Sequence, residues 1–162
     1  MTAKKQSITI GNAGGYWGDD PKALERQLTS GKLDYVTMDF LAEVTMSIMQ
    51  KQRSKDQSRG YAHDFIKMMK TCLPLLKKNN TKLITNAGGV NPWECAKQIS
   101  ELAKTNNLDV KVAVVYGDDI LEEIDSLQAK GAEFENMETG EAFKDVKEHI
   151  EAANIYLGAT PV

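Results

Sequence analysis

The chain has 162 residues, 41% of them hydrophobic, and a formal net charge of −3. That length suits one domain with an ordinary buried core. The two signs of charge are mixed, with no basic stripe of the kind a phosphate-backbone binder needs, and no apolar run reaches membrane-span length.

Met1 to Gln6 carries lysines with no apolar segment behind them, so the expected location is cytoplasmic. Ser7 to Ile10 is the first predicted strand, and Gly11 to Asp19 a glycine-rich loop. Asp20 reads as a helix N-cap and Pro21 as the first helical residue, where a missing N–H costs nothing. Ala23, Leu24 and Leu28 form the inner face of that helix, and Gly31 ends it in a left-handed conformation. Asp34 to Asp39 is a second strand. Phe40 to Gln50 is helical by period, with Leu41, Val44, Thr45 and Ile48 on one side, and the polar stretch Lys51 to Gly60 is expected as a surface loop or the mobile tip of a helical hairpin. Tyr61 to Lys78 is helical again, with Pro74 expected to kink it near Lys70.

Lys82 to Thr85 is the third strand. Asn91 caps the next helix, with Glu94 at capping-box spacing. Val110 to Tyr116 is nearly all apolar and predicts a strand covered on both sides. Gly117-Asp118-Asp119 is a turn and cap before a helix that ends near Gly131. Beyond it the signals weaken to Phe134, a short strand start, and Ala153 to Leu157, an extended segment or a helix that ends at Gly158. Thr160-Pro161 repeats the cap-plus-proline signature, a helix start with no helix behind it, which predicts a longer protein. The alternation predicts one α/β domain with a mostly parallel sheet, in a Rossmann-like open three-layer arrangement. Part of a barrel-like α/β unit is the alternative.

The tetrapeptide Asn-Ala-Gly-Gly occurs twice, at Asn12 to Gly15 and at Asn86 to Gly89, each time between a strand and a capped helix. In such loops the N–H groups of Gly14, Gly15, Gly88 and Gly89 are placed to bind an oxyanion, with Asn12 and Asn86 orienting it. The competing reading is that the glycines only make tight turns and each Asn caps its own backbone. Neither loop matches the dinucleotide fingerprint or the P-loop. Asp39, Glu43, Asp118 and Asp119 form an acidic set at strand ends. Asp39 and Glu43 are the candidate catalytic carboxylates, for proton abstraction beside a carbonyl, and Mg²⁺ is a candidate cofactor. The bland counterpart is capping by Asp118 or Asp119 and a Glu favouring the helix dipole. His63 and His149 lack a ligand-spaced partner and read as surface residues. Cys72 and Cys95 read as buried free thiols, Trp17 as a loop anchor, and Met46, Met49, Met68 and Met69 as helix packing.

Several of these segments recur in order: Gly11-x-Ala13-Gly14, Leu33-Asp34-Tyr35, Leu41-Ala42-Glu43-x-Thr45, Thr85 to Gly89 with Asn91-Pro92, and Val115-x-Gly117-Asp118-Asp119. Ala153-Asn154-x-Tyr156-Leu157-Gly158-Ala159-x-Pro161 closes the series. Together they resemble the acyclic terpene utilisation (AtuA-like) family. The resemblance implies a longer family unit whose N-terminal portion this chain represents. It also implies a setting in the breakdown of citronellol- and geraniol-like isoprenoids through acyl-CoA intermediates. It supplies no established reaction. With Asn154, Asp118 and Asp119 added, the glycine loops form the candidate ligand-binding set.

Two functions follow as expectations. One is a lyase- or hydratase-type enzyme domain that takes a small carboxylate or acyl-CoA-type ligand. The other is a non-catalytic binding or assembly module that supports a partner enzyme. The expected partners are a small molecule and the rest of the family unit or a partner subunit. A homo-oligomer is compatible with the sequence, and neither nucleic acid nor membrane is expected.

Overall fold

The computed structural model describes residues 7–41 and 43–162. The chain divides into two compact units, one through Val114 and one spanning Val115–Val162. The first unit alternates strands and helices: β1 (Ile10–Asn12), α1 (Ala23–Ser30), β2 (Tyr35–Met38), α2 (Glu43–Lys55), α3 (His63–Asn79), β3 (Lys82–Thr85) and α4 (Pro92–Thr105). The strands form one parallel sheet in the order β1-β2-β3, so the architecture is an open, Rossmann-like α/β sheet and not a closed barrel. Gly11 pairs with Val36, and Val36 with Leu83, which places these residues on one face.

That face carries the core. Val36 and Met38 are buried with Leu24 and Leu28 of α1, Phe65, Met69 and Leu76 of α3, and Cys95 and Ile99 of α4. Each large aliphatic side chain withdrawn from water in this way contributes roughly 1.5–3 kcal/mol before entropy is counted. On the opposite face Ile10 and Ile84 are 58% and 37% exposed. There the Lys82 ammonium lies 5.3 Å from the Tyr35 ring centroid.

Several expectations shift in detail. α1 starts at Ala23, and Asp20 instead closes the turn before it, its Oδ1 accepting from the Lys22 N–H at 2.8 Å. Gly31 is extended rather than left-handed, with φ −178°. α2 runs on to Lys55, past the Gln50 boundary and into the stretch expected as a surface loop or helical-hairpin tip. Its buried stripe passes through Met49, while Val44 and Ile48 are exposed, because the helix rests on the second glycine loop rather than on the sheet. α3 continues through Pro74, whose side is exposed. Val110 to Tyr116 forms no strand: Val112, Val115 and Tyr116 are exposed, and no ladder partner exists among the described residues. Its apolar character signals a preference for burial, and nothing described here supplies the covering layers.

The second unit holds a 3₁₀ turn (Leu121–Glu123), α5 (Ile124–Ala129) and two further 3₁₀ turns, Phe143–Asp145 and Lys147–His149. Phe134 and Phe143 pack with ring centroids 5.6 Å apart, beside the isolated bridge Glu135–Ala142. Lys147 pairs with Asp125.

Candidate functional site

In a parallel sheet every strand leaves at the same edge, so the loops after β1, β2 and β3 share one rim. The two Asn-Ala-Gly-Gly loops both lie there, and Asp39 joins them. The Asp39 N–H donates to the Gly14 carbonyl at 3.0 Å. Asn86 grips the same segment with both ends of its amide: Nδ2 donates to Asp39 Oδ1 at 2.6 Å, and Oδ1 accepts from the Phe40 N–H at 2.7 Å. The Leu41 N–H adds a fourth bond, to Asp39 Oδ1 at 3.1 Å. Among the described residues no group bonds Asp39 Oδ2. The carboxylate is thus held by one oxygen and presents the other.

Asp39 lines a cavity of about 500 Å³ within the first unit. Ala13, Gly14, Tyr16 and Asp19 of the first loop form one side, Met38 and Phe40 flank Asp39, and Asp64, Lys67 and Met68 of α3 close the other. Phe40 is fixed edge-on against Phe65, with centroids 5.8 Å apart. The Trp17 indole N–H donates to Asp64 Oδ2 at 3.4 Å, which ties the first loop to the start of α3.

The two glycine loops do different work. In the first, the Gly14 N–H donates to Asn12 Oδ1 at 3.2 Å, and the Gly15 N–H to Asp19 Oδ2 at 3.0 Å. The loop therefore already receives an anion from its own chain. The second loop, including Gly88 and Gly89, is a packing junction outside the cavity lining. Gly89 has φ +52°, and a Cβ there would stand 2.2 Å from Met49 Sδ and 2.7 Å from the Gly60 carbonyl. Arg53 of α2 reinforces the junction by donating to the Val90 carbonyl at 2.7 Å. Asn91 caps α4, its Oδ1 accepting from the Glu94 N–H at 3.4 Å, and donates to the Gln57 and Arg59 carbonyls at 3.0 and 2.8 Å. Glu94 does not complete a capping box, because its carboxylate takes Gln98 and Lys97 instead.

Glu43 stands in the first turn of α2, exposed and outside the cavity lining. Asp118, Asp119 and Asn154 meet in the second unit. Asp119 bridges Asn154 in antiparallel sense, and the Asn154 side chain donates to Asp118 Oδ2 at 3.2 Å. Asp119 Oδ1 also caps the following turn, accepting from the Leu121 N–H at 3.2 Å. Among the described residues no group of three or more His, Cys, Asp or Glu side chains can hold a metal ion.

His63 is half-buried at the start of α3 rather than on the surface. Among the described residues its Nε2 has no partner, its ring leans on Tyr61 at 4.5 Å between centroids, and burial, then Arg59, holds its pKa below the ordinary imidazole value. Cys72 and Cys95 are buried and free, and burial pushes their thiols up to about 11 and about 12. The cavity residues Phe40, Asp64, Lys67 and Met68 gave no functional signal in the sequence. Asp64 looks like an ordinary acidic first-turn residue and Met68 like ordinary packing; only the Trp17–Asp64 bond marks the spot.

Neither a comparison with curated proteins nor one with solved structures returns a match. A family model, by contrast, matches residues 8–162, nearly the whole chain. The chain carrying this Asp39 cavity belongs to the acyclic terpene utilisation family, AtuA.

Proposed function

We propose that the Asp39 cavity binds an acyclic isoprenoid chain, carried as a neutral acyl thioester, and that the domain adds or removes water at a carbon–carbon double bond. The single observation that supports this most is the carboxylate itself. Asp39 is clamped through Oδ1 and offers Oδ2 beside the apolar Met38, Phe40 and Met68. An oriented carboxylate with one open oxygen suits a general base. In hydration Asp39 Oδ2 takes a proton from water, the hydroxide oxygen bonds to one alkene carbon, and the proton returns to its neighbour. The reverse sequence removes water. Asn86 is the positioning residue in this reading. A free small carboxylate suits the cavity less well than the thioester, because Asp19, Asp20, Asp39 and Asp64 all line it.

The test uses the full chain, an unsaturated acyclic isoprenoyl-CoA thioester, and mass detection of the hydrated product. Asp39→Asn keeps the Oδ1 acceptor and is expected to lower turnover by about a hundredfold or more with the circular dichroism unchanged. Asn86→Ala is expected to lower it by a smaller factor. Turnover equal to wild type in Asp39→Asn contradicts the proposal.

A second reading, a binding or assembly module, is favoured by one feature. The sheet face bearing Ile10 and Ile84 is exposed, which is unusual for a parallel sheet. Ligand binding by wild type without any turnover favours this reading over the first.

A further inference from the structure

The parallel sheet ends at β3, and the outer edge of that strand is open. The Lys82 N–H donates inward, to the Asp34 carbonyl at 3.0 Å. Backbone direction alternates along a strand, so the N–H and carbonyl groups of Leu83 and Thr85 point outward. Among the described residues no backbone group meets them. An edge of this kind recruits strands from other molecules unless something covers it.

The chain carries a run with the complementary shortage. Residues 110–114 read Val-Lys-Val-Ala-Val, a strand-forming composition, and their backbone groups have no partner among the described residues. Val112 is 40% exposed. The root of the run is fixed. The Leu108 N–H donates to the Ala103 carbonyl at 2.9 Å, and the Lys77 ammonium donates to the Asp109 carbonyl. Leu108 and Val110 pack on the core. Lys77 lies in the last turn of α3, so this root stands at the end of the sheet where β3 begins. A chain that leaves β3, returns through α4 and starts again from that end runs parallel to β3. A right-handed crossover then lays it along the open edge, one strand further in the direction in which β1, β2 and β3 already follow one another.

Val110 faces the core, and alternation puts Val112 and Val114 on the same face. Seating Val112 beside the half-buried Leu83 brings the Ala113 N–H to the Leu83 carbonyl. The same register sets Lys111 beside Lys82 on the open face, where two ammonium groups oppose the pairing. We propose that residues 110–114 are a strap that adds to β3 as a fourth parallel strand, closing the edge against other molecules, with the Lys111–Lys82 repulsion holding the strap near balance. The strap is independent of the ligand and of the chemistry at Asp39.

Amide hydrogen exchange, followed by NMR on the full chain, tests the strap. Ala113→Pro removes the N–H assigned to Leu83, at an exposed position whose N–H bonds nothing among the described residues. Lys111→Glu turns the repulsion into attraction. In wild type the Leu83 and Thr85 amides are expected to exchange about tenfold or more slowly than in Ala113→Pro, while the inward Lys82 amide keeps its rate. Lys111→Glu is expected to slow Leu83 and Thr85 by about a further threefold, a gain that shrinks as salt is added. Equal Leu83 and Thr85 rates in wild type and Ala113→Pro, with Lys82 unchanged, overturn the proposal. So does protection that grows with protein concentration, which assigns the edge to a second copy. Should Ala113→Pro speed Lys82 as well, Lys111→Glu decides. Slower exchange at Leu83 and Thr85 alone upholds the strap, and unchanged or faster exchange there overturns it.

Discussion

Asp39 is exposed at the rim, yet three hydrogen bonds fix its backbone and one of its oxygens. The side chain of Asn86 makes this possible, because an amide can donate to a carboxylate and accept from a peptide N–H at once. The sequence marked both residues, and for a sound reason: each ends a strand next to a turn. It did not reveal that Asn86 would hold Asp39, since that depends on which strand lies beside which. His63 is a second residue whose role depends on its surroundings. Its folded pKa lies below 6.5, chiefly through burial, with Arg59 adding to the effect and Asp64 and Asp56 opposing it. The unfolded chain therefore takes up a proton at higher pH than the folded chain does. The stability tied to neutral His63 is complete above the unfolded value and is lost as pH falls through the window below 6.5 toward the folded value. Urea unfolding of wild type is expected to grow easier from neutral pH down to about 5, and more steeply than that of His63→Gln. Equal slopes for the two proteins contradict the assignment.

At the scale of elements, the two Asn-Ala-Gly-Gly loops show how far a repeat can be trusted. Identical letters between strand and helix correctly place both loops on one rim. They do not have identical duties. The first loop walls the cavity; the second receives Met49 of α2. The difference comes from α2, where the periodicity placed Val44 and Ile48 on the inner side although both are exposed. Met49 and Arg53 hold that helix to Gly89 and Val90, a contact no local pattern encodes. The asymmetry is measurable. Gly89→Ala forces a Cβ into Met49 and the Gly60 carbonyl at a left-handed φ, and should cost about 2 kcal/mol or more of unfolding free energy. Gly15→Ala meets nothing within 4 Å and should change stability by less than about 0.5 kcal/mol. Equal losses in chemical denaturation contradict the unequal roles.

For the whole molecule, strand–helix alternation made the parallel α/β sheet legible before any coordinates. β3 falls on Lys82 to Thr85 as the β-branched pattern indicates. The Val110 to Tyr116 run illustrates the limit. Hydrophobic patterning reports a preference for burial, whereas strand formation also needs a neighbour with open backbone groups. The exposed Ile10 and Ile84 raise the same point on the sheet face. The cavity was legible only in part. Strand-end turns pointed to the rim, but the wall supplied by Asp64, Lys67 and Met68 comes from a helix that begins 24 residues after Asp39, and only the fold brings it there.

The most direct test of the central claim is a structure of the full chain determined with an unsaturated acyclic isoprenoyl-CoA thioester bound. The account predicts ligand density against Met38, Phe40 and Met68, with the carbon–carbon double bond beside Asp39 Oδ2. Density confined to any other part of the molecule, with the Asp39 cavity unaltered, contradicts it.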